Sequence, residues 1–477
     1  MEGSGDRSHR RLALLVASCF FMEMLDGTIV TTSAPRIGHS LHVSAGSISV
    51  VITAYLVTLA ALIPLGGWLS ARFGARRIFL TAITVFTLAS LGCALSQTLG
   101  ELVAMRVLQG TGGAMMVPVG RLLVLSRTEK HDLMQITAFL VWPGLLSPVI
   151  APLLGGLITT YASWHWIFLI NVPLGALALA VAFRIVPSPA EPSPSPLDVI
   201  GTVLVVGSLT AFTVTAALLS RTNPVWALDA VFGVAAVLLT IFAVRHLLHT
   251  RYPLIDLRVL RIPTLRAAVF GSLVYFSVIS AGPFLVPLKL EEEFGWSPVK
   301  AGALVLFIFV GNVGIKPTTT FLYGRFGFRT VLITSTVTMA AAMAAIGFTT
   351  GTTPIELLAV LLLIVGMVRS IAATGYSTVG FGDVPPEDLR HANTLQATAQ
   401  QLAGGFGVAG AAIALRLGDP LGRVFGSSHH GHGDYAVAFV LVAAVALVAT
   451  VDASRLPSGA GDVMRRRRPP DPAPASQ

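Results

Sequence analysis

The sequence has few charged residues and very few cysteines. Charged residues make up 12% of the 477 positions, about half the share that is usual in a soluble globular domain. The two cysteines, Cys19 and Cys93, both lie inside apolar segments and argue neither for disulfides nor for a metal site. No polar stretch is long enough to hold a soluble catalytic domain, so an enzyme is not expected.

Apolar residues dominate instead. They make up 54% of the chain, and the mean hydropathy is +0.78, values that indicate an all-α protein that crosses a membrane many times. Runs of about 20 residues have the length that a helix needs to cross ~30 Å of hydrocarbon. We place fourteen such runs, at 12–34, 46–69, 77–97, 99–124, 134–159, 165–186, 198–219, 225–247, 264–288, 298–321, 330–349, 354–380, 395–416 and 435–453.

The net charge of +9 is spread over short basic clusters between the apolar runs. Nucleic acid is therefore not an expected partner, whereas the positive-inside rule explains the clusters directly. With a cytoplasmic N-terminus, most of the 32 lysines and arginines fall on the cytoplasmic side. The even number of runs then places both termini in the cytoplasm, and the protein in the cytoplasmic membrane.

In the first half of the chain, two runs contain ionisable residues well inside the membrane. Arg106 lies in the fourth run, and Glu23 and Asp26 lie three residues apart on the first, where they share one side of a helix. A charge at that depth costs roughly 2.5–3.5 kcal/mol on insertion scales, so it usually has a function or a partner. We interpret the three as a proton-exchange site, because two close carboxylates in a desolvated site do not both ionise easily. The alternative is a static Asp26–Arg106 pair that locks two helices, with Glu23 facing a polar cavity.

Five stretches resemble motifs of the major facilitator superfamily. Residues 67–77 resemble the signature loop between its second and third helices, and 106–110, with Arg106 followed by Gln109 and Gly110, resemble its fourth-helix motif. Residues 144–156 are similar to the fifth-helix motif of antiporters. Residues 25–30 and 164–175 are similar to the fourteen-spanner drug:proton antiporters, and the likeness extends from about 12 to 453.

The resemblance implies the major facilitator fold, with two six-helix bundles and two additional helices inserted between them. The implied segments are a cytoplasmic N-terminus at 1–11, the first bundle at 12–186, a Pro/Ser linker at 187–197, the inserted helices at 198–247, a cytoplasmic linker at 248–263, the second bundle at 264–453 and a basic, disordered tail at 454–477.

The resemblance also marks two groups of residues for conformational change. The loop between the second and third runs is expected to gate the cytoplasmic side, although its charges also suit a purely topogenic role, and the family's usual aspartate is Ala71 here. The fifth helix is expected to act as a hinge or seal, with a simple packing kink as the alternative. The residues are Gly67, Arg72, Gly74, Arg76 and Arg77 in the loop, and Gly144, Pro148, Pro152, Gly155 and Gly156 in the helix.

A further set of polar residues is predicted to line the substrate pathway. Three of them form a stripe on the thirteenth run, where helix packing is the alternative role. Two are cations in the second half, which would favour an anionic or polar neutral group over a second cationic one. The set is Gln109, Asn312, Lys316, Arg369, Asn393, Gln396 and Gln400.

Together these features predict a proton-coupled antiporter that exports small amphipathic compounds, drugs or secondary metabolites, by alternating access. An uptake symporter or facilitator for a small polar or anionic metabolite is the main alternative, and a membrane-embedded enzyme is a weaker one. The expected partners are the lipid bilayer, protons and the substrate. No cofactor is expected beyond the proton gradient, and the three histidines between 429 and 432 are not expected to bind a metal. A monomer is expected, and the involvement of a periplasmic adaptor stays open.

Overall fold

The computed structural model describes residues 3–43, 48–186, 196–219, 226–424, 432–457 and 459–461. Most of the predicted Pro/Ser linker and of the basic tail lies outside these residues. Within them the chain is helical, without strands. The helices are α1 Gly3–Ser40, α2 Ser49–Phe73, α3 Ala75–Leu95, α4 Leu99–Leu125, α5 Leu133–Tyr161, α6 Trp166–Leu169, α7 Asn171–Ile185, α8 Val199–Leu219, α9 Trp226–His249, α10 Pro263–Leu288, α11 Pro298–Gly314, α12 Lys316–Phe326, α13 Phe328–Gly347, α14 Ile355–Thr378, α15 Leu389–Val424 and α16 His432–Ser454.

The fourteen apolar runs all coincide with helices. Among the described residues, eleven helical spans are long and apolar enough to cross a membrane, and the pair α11–α12 makes a twelfth. The two remaining runs correspond to α5 and α15, which are 29 and 36 residues long. Both exceed the roughly 20 residues that a crossing needs. The polar stripe on α15 lowers its mean hydropathy, which explains why composition alone does not identify this helix as membrane-spanning.

The run predicted at 298–321 is not one straight helix. The structure breaks it at Ile315, where α11 ends and α12 begins with a bend of 53°. Pro317 lies at the start of α12, a position that proline tolerates because its missing N–H would lack an intrahelical partner there. The break places Lys316 at the first residue of the second segment.

Matching glycines connect helix pairs in the two halves of the chain. Gly74 separates α2 from α3 and Gly327 separates α12 from α13, with φ of 86° and 78°. A side chain at such a positive φ would be strained, so glycine suits both turns. The flanking sequences, Ala-Arg-Phe-Gly-Ala-Arg and Gly-Arg-Phe-Gly-Phe-Arg, are also alike. We call the end of the bundle that carries these two turns the basic end.

Helices α8 and α9 pack beside the contact between α2 and α15. Helix α8 contacts α2 and α15, while α9 packs mainly on α8. The small apolar cluster beneath them includes Leu65 and Trp68 of α2 and Leu395 and Leu402 of α15. One face of α9 is exposed, as expected for a helix that borders lipid. The predicted segment boundaries themselves remain predictions.

Candidate functional site

A buried polar cluster joins α1, α4 and α7. Arg106 Nη1 donates to Asp26 Oδ2 at 2.5 Å and to Gln109 Oε1 at 2.7 Å. Asp26 Oδ1 accepts from Gln109 Nε2 at 2.9 Å and from Asn171 Nδ2 at 2.8 Å. All four side chains have an exposed fraction of 0%. We call Asp26, Arg106, Gln109 and Asn171 the carboxylate cluster.

Local sequence positions the cluster. Helix α4 starts with a capping box, in which the Thr98 hydroxyl accepts from the Glu101 N–H and the Glu101 carboxylate accepts from the Thr98 N–H. This arrangement fixes the start of the helix two turns before Arg106. Arg106 and Gln109 are three residues apart and so lie on one face. Gln109 Nε2 also donates to Ser90 Oγ of α3 at 2.7 Å, which ties the cluster to a fourth helix.

Aromatic rings cover the guanidinium group. Arg106 Cζ lies 4.2 Å from the centre of the Tyr55 ring and 5.7 Å from that of Phe168. Its Nε and Nη2 atoms have no hydrogen-bond partner among the described residues. A cation that faces a ring is stabilised by the ring quadrupole, the more so when water is excluded. The positive charge is thus compensated by one carboxylate and by aromatic faces.

Glu23 lies beside the cluster but outside its hydrogen-bond network. Its side chain is 5% exposed, and its Oε2 has no partner among the described residues. A Cβ added to Gly113 of α4 would lie 3.8 Å from Glu23 Cδ and 3.3 Å from the Tyr55 hydroxyl. The Glu23 carboxyl group and the Tyr55 hydroxyl therefore both lie next to Gly113. Glu23 and Asp26 therefore have different surroundings, although they are one helical turn apart.

The sequence predicted the charged members of this site and Gln109, but not Asn171, Tyr55 or Ser90. Asn171 lies in the 164–175 stretch that carried part of the resemblance, yet it received no role. Tyr55 and Ser90 gave no signal, because single residues of these types are common in apolar helices. Gln109 lies in the carboxylate cluster, and its predicted role in the substrate pathway remains a prediction.

Contacts between the two halves of the chain join them near the basic end. Arg121 Nη2 of α4 donates to the Ser377 carbonyl of α14 at 2.6 Å, and its guanidinium lies 5.2 Å from the centre of the Phe381 ring. Asn393 Nδ2 of α15 donates to the Pro118 carbonyl of α4 at 3.0 Å. Where α2 contacts α15, a Cβ on Gly67 would collide with the side chain of Thr394. The two halves are thus linked where α2 and α4 end.

The residues of the α2–α3 loop occupy different surroundings. Gly74 makes the turn itself, as described above. Arg76 Nη2 donates to the Phe183 carbonyl of α7 at 2.9 Å, which is a contact within the first half of the chain. Arg72 and Arg77 are exposed, and Ala71 is buried. Gating by these arginines remains a prediction.

Helix α5 runs without interruption through the residues of the predicted hinge, including Pro148, Pro152 and Gly156. It packs along α1. Gly144 faces the ring of Phe20, which a Cβ at that position would strike, and Gly155 is buried. Close packing against α1 is therefore observed for this helix, while its role as a hinge or seal remains a prediction.

The polar stripe of α15 makes contacts with neighbouring helices. Gln396 Nε2 donates to Ser272 Oγ of α10 at 2.5 Å and to the Tyr376 carbonyl of α14 at 3.2 Å. Gln400 Nε2 donates to Ser377 Oγ at 2.9 Å, and Gln400 also lines a cavity of about 290 Å³ between α2, α8 and α15. Helix packing, the alternative for this stripe, accounts for the Nε2 contacts of Gln396, whereas its Oε1 has no hydrogen-bond partner among the described residues.

The remaining pathway residues lie where α11 and α12 meet α14. Lys316 Nζ donates to Thr374 Oγ1 at 2.5 Å. Asn312 is 1% exposed, and neither polar atom of its side chain has a hydrogen-bond partner among the described residues. Arg369 Nη1 is likewise buried and unpartnered there, and its guanidinium lies 5.9 Å from the centre of the Phe309 ring. Unsatisfied polar groups inside a helical bundle indicate a place that water or a ligand occupies.

Comparison with known proteins identifies the family. The sequence profile of the Major Facilitator Superfamily matches residues 16–408 and 267–475. The chain belongs to the major facilitator superfamily. It is therefore a multi-pass membrane transporter and not an enzyme. The resemblance seen in the five motifs is confirmed.

Similar sequences include two relatives named putative multidrug resistance protein MdtD. The protein from Salmonella paratyphi A is 36% identical over 428 residues, which cover 87% of each chain. The protein from Cronobacter sakazakii is 38% identical over 405 residues, which cover 84% of this chain and 85% of the relative.

Similar structures confirm the fold. The human organic anion transporter MFSD10 superposes with a TM-score of 0.68 at 15% identity, over 93% of this chain and 99% of its own. The proton:xylose symporter XylE superposes with a TM-score of 0.64 at 14% identity, over 96% and 98%. At these identities the likeness concerns the fold alone.

Proposed function

We propose that the protein is a proton-coupled antiporter that exports small amphipathic compounds across the cytoplasmic membrane. The observation that carries this proposal is the carboxylate cluster with Glu23 beside it, whose Oε2 has no hydrogen-bond partner among the described residues. A proton that binds on α1 alters the charge that Arg106 faces, and such a change favours one arrangement of α1, α4 and α7 over another. The relatives named as putative multidrug resistance proteins support export of drug-like compounds.

Transport would proceed by alternating access, with both termini in the cytoplasm. The contacts of Arg121 and Asn393 hold the basic end closed, so a state open to the cytoplasm requires that they break. Rocking of two halves about a central site is the usual way in which this kind of fold achieves this. The energy source would be the proton gradient, with no cofactor, and the chain would work as a monomer in the bilayer.

Proton exchange by inverted membrane vesicles tests the proposal. Vesicles that contain the protein are acidified inside by respiration, and ethidium or dansylglycine is added as the transported probe. We expect the probe to accumulate inside while the internal acidity falls, because export into the lumen is coupled to proton exit. A probe that leaves the vesicles together with protons would instead identify a symporter that works in the uptake direction.

The closed basic end gives a second prediction. Replacing Arg121 with Met removes a charge-assisted hydrogen bond and a cation–π contact between the halves, so the cytoplasm-open state should become more populated. Such a bond contributes about 1.5–3 kcal/mol, which corresponds to at least a tenfold change in the equilibrium. We expect a maleimide to label a Ser377→Cys thiol about tenfold faster, in a background with Cys19→Ala and Cys93→Ala.

Arg329 supplies the matched control for this labelling experiment. It is an exposed arginine at the same end, in the first turn of α13, so Arg329→Met removes a charge without removing the contact between halves. Equal labelling rates in the Arg121→Met and Arg329→Met proteins would contradict a closing role for Arg121.

A further inference from the structure

A crevice of about 780 Å³ lies between α5 and α12, in the half of the bundle next to the basic end. Gln135, Phe139 and Trp142 line it from α5, and Thr320 and Phe321 line it from α12. The side chains of Trp142 and Phe321 are 42% and 68% exposed, so the crevice has an aromatic mouth at the side of the bundle. Its volume falls in the range of small-molecule sites.

Lys316 forms part of the inner wall of this crevice. Its side chain is 7% exposed, and α12 continues for ten residues to Phe326, or roughly 15 Å at 1.5 Å per residue. Lys316 therefore lies near the middle of a hydrocarbon layer that is ~30 Å thick. Only Thr374 Oγ1 accepts a hydrogen bond from it among the described residues, where no carboxylate lies within ion-pair distance. An ammonium group has three donors, so two remain for a ligand.

The break between α11 and α12 places the ammonium group of Lys316 at this point but adds no free backbone donors there. Pro317 has no N–H, and the Thr318 N–H donates to the Ile315 carbonyl at 3.1 Å. The positive feature of the crevice is therefore the ammonium group itself. It disfavours a cationic ligand and favours an anionic one, because hydrogen bonds between ionised partners of opposite charge are the strong ones.

We propose that this crevice binds amphipathic organic anions. The anionic group would lie at the ammonium group of Lys316, and the apolar part would lie against Phe139, Trp142 and Phe321. Asp132 also lines the crevice, in the turn that precedes α5. Binding in the crevice does not depend on the proposed function. Only the further step, that the bound anions are transported, rests on it.

Three dansyl compounds of different charge test the proposal. Dansylglycine is an anion, dansylamide is neutral and dansylcadaverine is a cation, and all three carry the same fluorophore. Binding to the purified protein in lipid nanodiscs is measured by energy transfer from tryptophan, with Trp142→Phe to identify the signal that comes from the crevice. We expect dansylglycine to bind at least about tenfold more tightly than dansylamide, since hydrogen bonds to a charged partner are each worth about that factor, and dansylcadaverine to bind weakest.

Two lysine variants separate this site from a general effect of charge. Lys316→Gln should remove the preference for dansylglycine, whereas Lys300→Gln should keep it, because Lys300 is exposed and lies over the Trp296 ring, away from the crevice. Equal binding of the three compounds, a preference that survives Lys316→Gln, or energy transfer that is unchanged by Trp142→Phe would each overturn the proposal. If Lys316→Gln does not fold, the proposal is decided by two other measurements. These are the binding of the three dansyl compounds to Lys316→Arg and to the natural chain.

These binding measurements use no proton gradient, so their result is independent of the proposed transport cycle. Failure of dansylglycine to bind would leave proton-coupled export intact. Conversely, if the protein binds dansylglycine with the expected preference but does not exchange protons, the result would support the anion site in the crevice and contradict proton-coupled antiport.

Discussion

Asp26→Asn is expected to abolish proton-driven export while passive exchange of the probe continues. The substitution keeps an oxygen that accepts from Gln109 or Asn171, but it removes the one carboxylate that pairs with the buried Arg106 among the described residues. In the proposed cycle a proton exchanges at this carboxylate, so transport by the variant should no longer depend on the proton gradient. We expect uphill accumulation of ethidium or dansylglycine in inverted vesicles to fall to the level of vesicles that lack the protein.

The same substitution should also destabilise the protein. Removing one partner of a buried ion pair typically costs about 3–5 kcal/mol, because the other charge remains unpaired. The double variant Asp26→Asn, Arg106→Gln removes both charges and should recover much of that stability. If the double variant is stable but still does not couple export to protons, the transport defect comes from the lost titration and not from misfolding.

Asp229→Asn is the matched control. Asp229 is also a buried carboxylate, 6% exposed, but it lies at the start of α9, far from the carboxylate cluster along the fold. Its replacement should leave export unchanged. Full uphill transport by Asp26→Asn, or an equal loss in Asp229→Asn, would contradict the role that we propose for the cluster.

The positions of the membrane-spanning helices were largely predictable from the sequence, and the reason is physical. A helix that crosses a hydrocarbon layer must satisfy its backbone hydrogen bonds internally and present apolar side chains over about 20 residues, and this pattern is local. That Arg106 contacts a carboxylate was also predictable, since an arginine at that depth needs a counter-charge. In the structure the Arg106 and Asp26 side chains are in contact at 2.5 Å, and their role in transport is a proposal.

The rest depended on tertiary packing. Asn171 joins the cluster because α7 crosses α1 at the level of Asp26, and no local pattern in either helix encodes that crossing. The break before Lys316 was missed because 298–321 is apolar enough for one span, and Pro317 gave the only signal. In the same way, the sequence placed Gln396 on a polar stripe but did not show whether it faces a cavity or Ser272 of α10.

Gly112→Ala is expected to reduce the stability of the protein strongly, although the change adds only one methyl group. A Cβ at Gly112 would lie 2.6 Å from the backbone nitrogen of Phe86 and 2.9 Å from the carbonyl oxygen of Ala82. Because both atoms belong to the backbone of α3, no side chain can rotate away, and α3 and α4 would have to separate. Overpacking of this kind costs typically about 1–3 kcal/mol.

Such a separation would also disturb the carboxylate cluster, because the Gln109–Ser90 hydrogen bond connects the same two helices. Gly100→Ala on α4 is the control, since a Cβ there meets nothing within 4 Å. We expect Gly112→Ala to lower the midpoint of thermal unfolding in detergent and to weaken export, and Gly100→Ala to change neither. An unaltered unfolding midpoint for Gly112→Ala would mean that α3 and α4 do not approach each other as closely as the structure indicates.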